Sequence, residues 1–136
     1  MVRYSGTPLP QKLGIKAGHR LILFGAPEGF DATLGELSEN VTVRTTARGT
    51  ADVIVLFTAQ RALLEARIDT LGASIFSDGA VWVAWPKKAS KVPTDMTEDV
   101  VREVCLPRGL VDNKVCAIDE TWSGLRVVHR VERRKR

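Results

Sequence analysis

Residues 21–30 read Leu-Ile-Leu-Phe-Gly-Ala-Pro-Glu-Gly-Phe. Four apolar residues stop at Gly25, the chain turns through Ala26-Pro27-Glu28-Gly29, and Phe30 opens a pattern of helical period. A continuous apolar run that short is a strand covered on both faces, and a glycine turn leading straight into a helix makes it the first half of a strand–helix unit. Sheets built from such units bind ligands at the carboxyl ends of their strands, which puts this turn at a candidate site.

The alternation continues downstream. Phe30, Leu34 and Leu37 fall at i, i+4 and i+7 and predict one helical face, with Asp31 favouring its start. Val41–Thr45 alternates and is rich in β-branched residues, so it reads as a second, edge strand. Ala51-Asp52-Val53-Ile54-Val55-Leu56-Phe57 is a third strand and the least ambiguous one. Thr58 is the expected N-cap of a helix carrying Leu64, Ile68 and Leu71, with Gly72 as its stop. Asp78-Gly79 leads into a strand over Ala80–Trp85. After the loop Lys87–Pro93, Asp95 and Glu98 have capping-box spacing before a helix with Met96, Val100, Val101, Val104 and Cys105 on its apolar side. Lys114–Glu120 and Leu125–Val131 are the last strands, and the short turn Thr121–Gly124 between them forces an antiparallel hairpin. The expected fold is α/β and three-layered: a mostly parallel sheet of about six strands, right-handed crossovers, and an antiparallel hairpin at the end.

At 136 residues the chain fits one α/β domain over 1–136, with residues 1–19 as a lead-in segment and 132–136 as a basic tail. Apolar residues make up 44% and charged ones 26%, enough for a core. No apolar run approaches the ~18–20 residues that span a bilayer, and the N-terminus lacks a signal-peptide core, so a cytoplasmic protein without membrane contact is expected. The net charge of +4 is uneven: Arg126–Arg136 holds six cations against Glu132, a net +5, leaving −1 for everything before it. The basicity therefore belongs to the tail, Arg133, Arg134, Lys135 and Arg136, through which weak, salt-sensitive contact with nucleic acid is a stated alternative. Cys105 and Cys116 read as small apolar residues. With only His19 and His129, far apart, no metal site is expected.

Beyond this reading of the residues, the run Leu13–Gly25 resembles the entrance to a class I S-adenosylmethionine-dependent methyltransferase. Phe76–Val83 is similar to that family's later turn and strand, and the closing hairpin matches its ending. The resemblance implies a Rossmann-like, methyltransferase-like sheet, here one strand–helix unit shorter, and S-adenosylmethionine as the cofactor to test. The departures are local. Leu23 stands where the family carries an acid, Pro27 at the central glycine of its loop, and Arg44-Thr45 where a carboxylate would meet the ribose. Pro27 also removes an amide donor. The chain further resembles an uncharacterised family of small bacterial proteins through Tyr4–Leu9, Gly25–Phe30, Trp85–Lys87, Thr94–Arg102 and Gly109–Cys116, a likeness that implies membership and no activity.

Three strand ends supply the candidate binding crevice: Gly25, Pro27, Glu28 and Gly29; Thr58; Trp85 and Lys87. Together they offer a stacking ring, a cation and a carboxylate, suited to a small anionic ligand or a protein partner. Asp112, Asn113 and Lys114 form a polar triplet before a strand, either a secondary site or a turn. No serine or histidine has the partners of a nucleophile or general base, so no catalytic set is assigned. The leading expectation is a non-catalytic small-ligand or protein-binding module on an altered methyltransferase-like scaffold; the alternative is a small methyltransferase with an atypical loop.

Overall fold

The computed structural model describes residues 7–46 and 48–130. Its strands are β1 (Arg20–Phe24), β2 (Thr42–Arg44), β3 (Ala51–Phe57), β4 (Ile75–Pro86), β5 (Leu110–Ala117) and β6 (Trp122–His129). Its helices are α1 (Leu9–Lys12), α2 (Phe30–Leu34), α3 (Arg61–Ala73) and α4 (Glu98–Cys105). The strands form one sheet in the order β2-β1-β3-β4-β6-β5. β2, β1, β3 and β4 run parallel, and β6 pairs antiparallel with both β4 and β5. The expected α/β fold is therefore the observed one, mixed sheet and closing hairpin included.

The middle of the sheet is apolar on both faces because it is covered on both. Ile22, Ile54, Leu56, Val81 and Val83 point to one side, where Leu64, Ile68 and Leu71 of α3 and Val101 and Val104 of α4 meet them. Leu21, Val53, Val55, Phe57 and Trp82 point to the other, against Leu13, Ile15, Phe30 and Leu34. The lead-in and α1 thus complete the second layer. The indole of Trp82 is fully buried there, and its Nε1–H donates to the Leu13 carbonyl at 3.0 Å.

Several boundaries differ from expectation, each for a local reason. α2 stops at Leu34 rather than reaching Leu37, because Gly35 takes φ 79°, ψ −158° and ends the helix. Strand two shortens to Thr42–Arg44, all exposed. Thr58 is not the N-cap of α3. Its hydroxyl closes a turn with Gln60, whose N–H it accepts at 2.9 Å, and the helix begins at Arg61. Gly72 does not stop α3 but lies inside it, where Leu110 packs so closely that an added Cβ would sit 3.3 Å from Leu110 Cδ1.

β4 starts at Ile75 and bulges before Ala80, so Asp78-Gly79 is part of the strand. The capping box is also displaced. Thr97 caps α4 by accepting the Val100 N–H, while the Asp95 carboxylate accepts the Arg61 N–H at 2.7 Å and so serves α3 instead. The hairpin turn precedes Trp122: Asp119 Oδ1 accepts the N–H groups of Thr121 and Trp122, each at 2.8 Å, which leaves Ser123 and Gly124 paired inside β6. Asp112-Asn113-Lys114 is a bulge within β5 rather than a turn before it. Val131 and the tail residues Arg133, Arg134, Lys135 and Arg136 lie outside the described residues, as do Met1–Gly6. No helix among the described residues is long and apolar enough to cross a membrane.

Candidate functional site at the carboxyl edge

β1, β3 and β4 end side by side and deliver Gly25, Thr58 and Lys87 to one edge of the sheet. The Gly25–Gly29 turn is shaped by packing. Gly25 has φ 68°, and an added Cβ would lie 2.8 Å from the Phe57 carbonyl oxygen, so the ends of β1 and β3 approach too closely for any side chain. Gly29 also has positive φ, 80°, and caps α2. The Pro27 carbonyl accepts the Phe30 N–H at 3.1 Å, and Glu28 is exposed.

Just beyond the turn, Phe30 stacks edge-on with Phe57 at 4.8 Å, and Phe57 with Trp122 at 5.2 Å. This row of rings fills the α2 side of the carboxyl edge. Open space falls instead on the α4 side. There Trp85 reaches the α3–α4 layer, and the chain after it loops out through Lys87–Pro93 before returning at Thr94. Two hydrogen bonds hold the loop ends: Lys87 N–H to the Thr121 carbonyl at 2.7 Å, and the Thr94 hydroxyl to the Ala59 carbonyl at 2.6 Å.

The result is a cleft of about 660 Å³, within the usual range of small-molecule sites, about 300–1,000 Å³. Trp85, Pro86, Val92, Pro93 and Met96 give it an apolar side. Lys87, Lys88 and Lys91 set three cations on its rim against Glu98, with Thr94, Thr97 and Ser123 as further hydrogen-bonding groups. Of the residues singled out from sequence, Trp85 and Lys87 line it, whereas Gly25, Pro27, Glu28, Gly29 and Thr58 are not part of its lining. Thr58 is 4% exposed and its N–H donates to the Ala84 carbonyl, so it joins β3 to β4.

Met96, Thr97 and Glu98 were not legible as site residues. Sequence placed Met96 on the apolar side of a helix and Glu98 at its start, and they line the cleft because α4 begins against the Lys87–Pro93 loop. The triplet of β5 is divided. Asp112 accepts from Arg102 Nε at 3.0 Å within a network that includes Glu98 and Asp99, and Asp112 foremost, then Glu98, holds the Arg102 pKa above its usual value. Asn113 and Lys114 line a separate cavity. Among the described residues no group of His, Cys, Asp and Glu is arranged to hold a metal ion.

Both cysteines are free thiols. Burial pushes the Cys105 thiol up to about 12, with the Arg108 charge opposing the shift. An acid whose pKa is higher folded than unfolded keeps its proton in the native state while the unfolded chain loses it. Stability therefore falls as pH rises from about 8.5, the unfolded value, toward 12. The wild-type chain is expected to lose stability with pH more steeply than Cys105→Ala in this window, by up to about 1.4 kcal/mol per pH unit. Urea unfolding at pH 8, 9 and 10 measures it, and parallel curves for the two proteins refute it.

No protein-family model matches this sequence, nor does any protein of curated function. Solved structures do match. The fold is similar to a putative type 11 methyltransferase from Sulfolobus solfataricus, with TM-score 0.63 and 15% identity over 90% of each chain. It is also similar to magnesium protoporphyrin IX methyltransferase from Synechocystis PCC 6803 with bound SAM, at TM-score 0.62 and 14% identity, over 90% of this chain and 74% of that one. A third is Precorrin-6y C5,15-methyltransferase from Geobacter metallireducens GS-15, at TM-score 0.61 and 12% identity, over 90% and 86%. The scaffold is that of the class I methyltransferases; identities this low speak to the fold alone.

Proposed function

We propose that this chain works from the carboxyl edge of its sheet as a small methyltransferase of atypical loop. In this reading S-adenosylmethionine sits beside Gly25–Gly29, and a small anionic acceptor with an apolar part sits in the Trp85 cleft. The likeness of the sheet, over nine-tenths of the chain, to enzymes of that class carries the proposal. It supports methyl transfer more directly than it supports a role without catalysis. The cleft adds chemistry suited to an acceptor: the exposed edge of an otherwise buried ring and three lysines for charge. The stretches Tyr4–Leu9, Gly25–Phe30, Trp85–Lys87, Thr94–Arg102 and Gly109–Cys116 support grouping the chain with the small bacterial proteins they resemble.

Calorimetric titration with S-adenosylmethionine and S-adenosylhomocysteine is the test. Saturable heat with both, followed by transfer of labelled methyl to a component of a cell extract, is the expected result. No heat with either at about millimolar concentration, far weaker than the micromolar range typical of enzyme ligands, sinks it.

One observation favours a second reading, binding without catalysis. Leu23 and Pro27 occupy the positions where the resembled enzymes carry an acid and a glycine, and Pro27 offers no amide to a ligand. In this reading the cleft alone takes an anionic ligand, and Lys87→Ala and Lys91→Ala weaken it while the cofactor titrations stay flat.

A further inference from the structure

A second cavity, of about 400 Å³, opens at the amino edge of the parallel strands, away from the cleft just described. Its floor is formed where β3 begins, at Asp52 and Val53, and where β4 bulges, at Asp78 and Gly79. Gly79 is required there: an added Cβ would lie 2.8 Å from the Asp52 carbonyl oxygen and 3.1 Å from that of Phe76. Lys12, Gly14 and Lys16 of the lead-in form one wall; Asn113 and Lys114 of β5 and Arg126 of β6 form the other.

Two tethers hold the lead-in wall in place. The Lys12 ammonium donates to the Ala117 carbonyl at 3.1 Å, and the Trp82 indole holds Leu13. The opposite wall is set by register, since Lys114 pairs directly with Arg126 across β5 and β6. The β5 bulge at Asn113 puts Lys114 on that face, so the polar triplet of the sequence finds a use that its reading as a turn does not include.

The wall charges are four cations, Lys12, Lys16, Lys114 and Arg126, against two carboxylates, Asp52 and Asp78. Asp52 is turned toward the start of β1: Oδ2 accepts the Arg20 N–H at 2.8 Å, and Oδ1 lies 3.9 Å from His19 Nε2. Lys16 and Lys114 form no ion pair with any described residue. Lys16 and Lys114 thus line one hollow from different elements, and positive charge is in excess there.

We infer that this amino-edge cavity is a binding site for a phosphate-bearing small molecule, with Lys16 and Lys114 clamping the phosphate from opposite walls. Several cations lining one concave surface attract a multiply charged anion more strongly than isolated lysines do, because their fields add in the hollow. The volume accommodates a phosphorylated metabolite, whereas a helix or duplex does not enter it. The inference is independent of the function proposed for the carboxyl edge.

Pyrophosphate is the probe, titrated calorimetrically into the full chain at low ionic strength. Saturable 1:1 binding is expected, weakened at least about tenfold by Lys16→Glu and likewise by Lys114→Glu, as loss and reversal of a close charge implies. Both positions are exposed, and unchanged circular dichroism confirms that the variants fold. Arg67→Glu on the exposed side of α3 makes the same change in net charge and leaves the binding as it was. Absence of binding, equal weakening by Arg67→Glu, or no effect of either lysine reversal overturns the site. Citrate binding as tightly as pyrophosphate overturns the phosphate assignment.

Discussion

Trp82→Ala will cost at least about 4 kcal/mol and leave the protein only marginally stable at ordinary temperature. Trp82 is the largest of the fully buried side chains, and Trp-to-Ala changes in cores cost about 3–5 kcal/mol through lost transfer energy and the cavity left behind. On its β6 side the cavity has no easy way to collapse, because the neighbour there is the strand backbone itself. Gly124 opposes the indole from β6 so closely that a Cβ there would sit 3.1 Å from Trp82 Cε3. The truncation also strips the Leu13 carbonyl of its Nε1–H partner, and an unsatisfied buried acceptor adds about 1–3 kcal/mol. Against a total stability of about 5–15 kcal/mol, that loss is most of the margin.

Trp82→Phe separates the two contributions. Phenylalanine keeps much of the apolar volume while removing the donor, so it should fold, with a deficit of about 1–3 kcal/mol, most of it from the unsatisfied carbonyl. The lead-in should loosen first, because the indole is what ties Leu13 to the sheet. Limited trypsin digestion should then cut at Lys12 and Lys16 sooner than in the wild type, with the remaining sites unchanged. Urea unfolding supplies the two energies; a Trp82→Ala cost below about 1 kcal/mol contradicts the role given to this side chain.

The same residue shows what the sequence makes legible. Trp82 sits in an uninterrupted apolar run that announces a strand covered on both faces, and the β3 run Ala51–Phe57 does so even more plainly. Such strands are decided by local composition, which is why the sheet and its helical layers were readable. That the indole reaches back 69 residues to a carbonyl of the lead-in is a tertiary fact. Asp95 makes the point again. Its spacing to Glu98 marks a helix start, and it does cap one, but the helix is α3, reached through Arg61 34 residues earlier. A carboxylate suited to a helix N-terminus can serve whichever one folding brings near.

The lining of the candidate cleft was half legible for a related reason. Trp85 and Lys87 follow directly from the rule that ligands gather where parallel strands end. The rule does not say which layer is already full, and the row Phe30, Phe57 and Trp122 fills the α2 side, leaving the opening to α4. The amino-edge cavity was still less accessible to sequence reading. Its cations come from α1, the lead-in, β5 and β6, none of them in a motif, and a bulge in β5 decides that Lys114 faces it.

Gly25→Ala should cost about 2–4 kcal/mol, whereas Gly29→Ala, four residues on, should cost only about 1 kcal/mol. Both glycines have positive φ, 68° and 80°, so both substitutions meet the penalty of placing a side chain in the left-handed region, about 1–2 kcal/mol at most. Only Gly25 has a second obstacle. Its added Cβ would lie 2.8 Å from the Phe57 carbonyl, a backbone atom at the end of a central strand, while nothing lies within 4 Å of the corresponding position at Gly29. Relieving that contact means parting the ends of β1 and β3, an overpacking cost of about 1–3 kcal/mol. Urea midpoints for the two variants give the difference directly, and equal costs would show that β1 yields without resistance. The comparison also bears on function, because the glycine in this turn is explained by strand packing whether or not a cofactor rests on it. A ligand seated on the turn adds a separate signature: Gly29→Ala, the milder of the two for stability, projects its methyl into the space the ligand needs and weakens S-adenosylhomocysteine binding. Unchanged affinity in that variant removes the turn from the site and leaves the Trp85 cleft as the surface that binds.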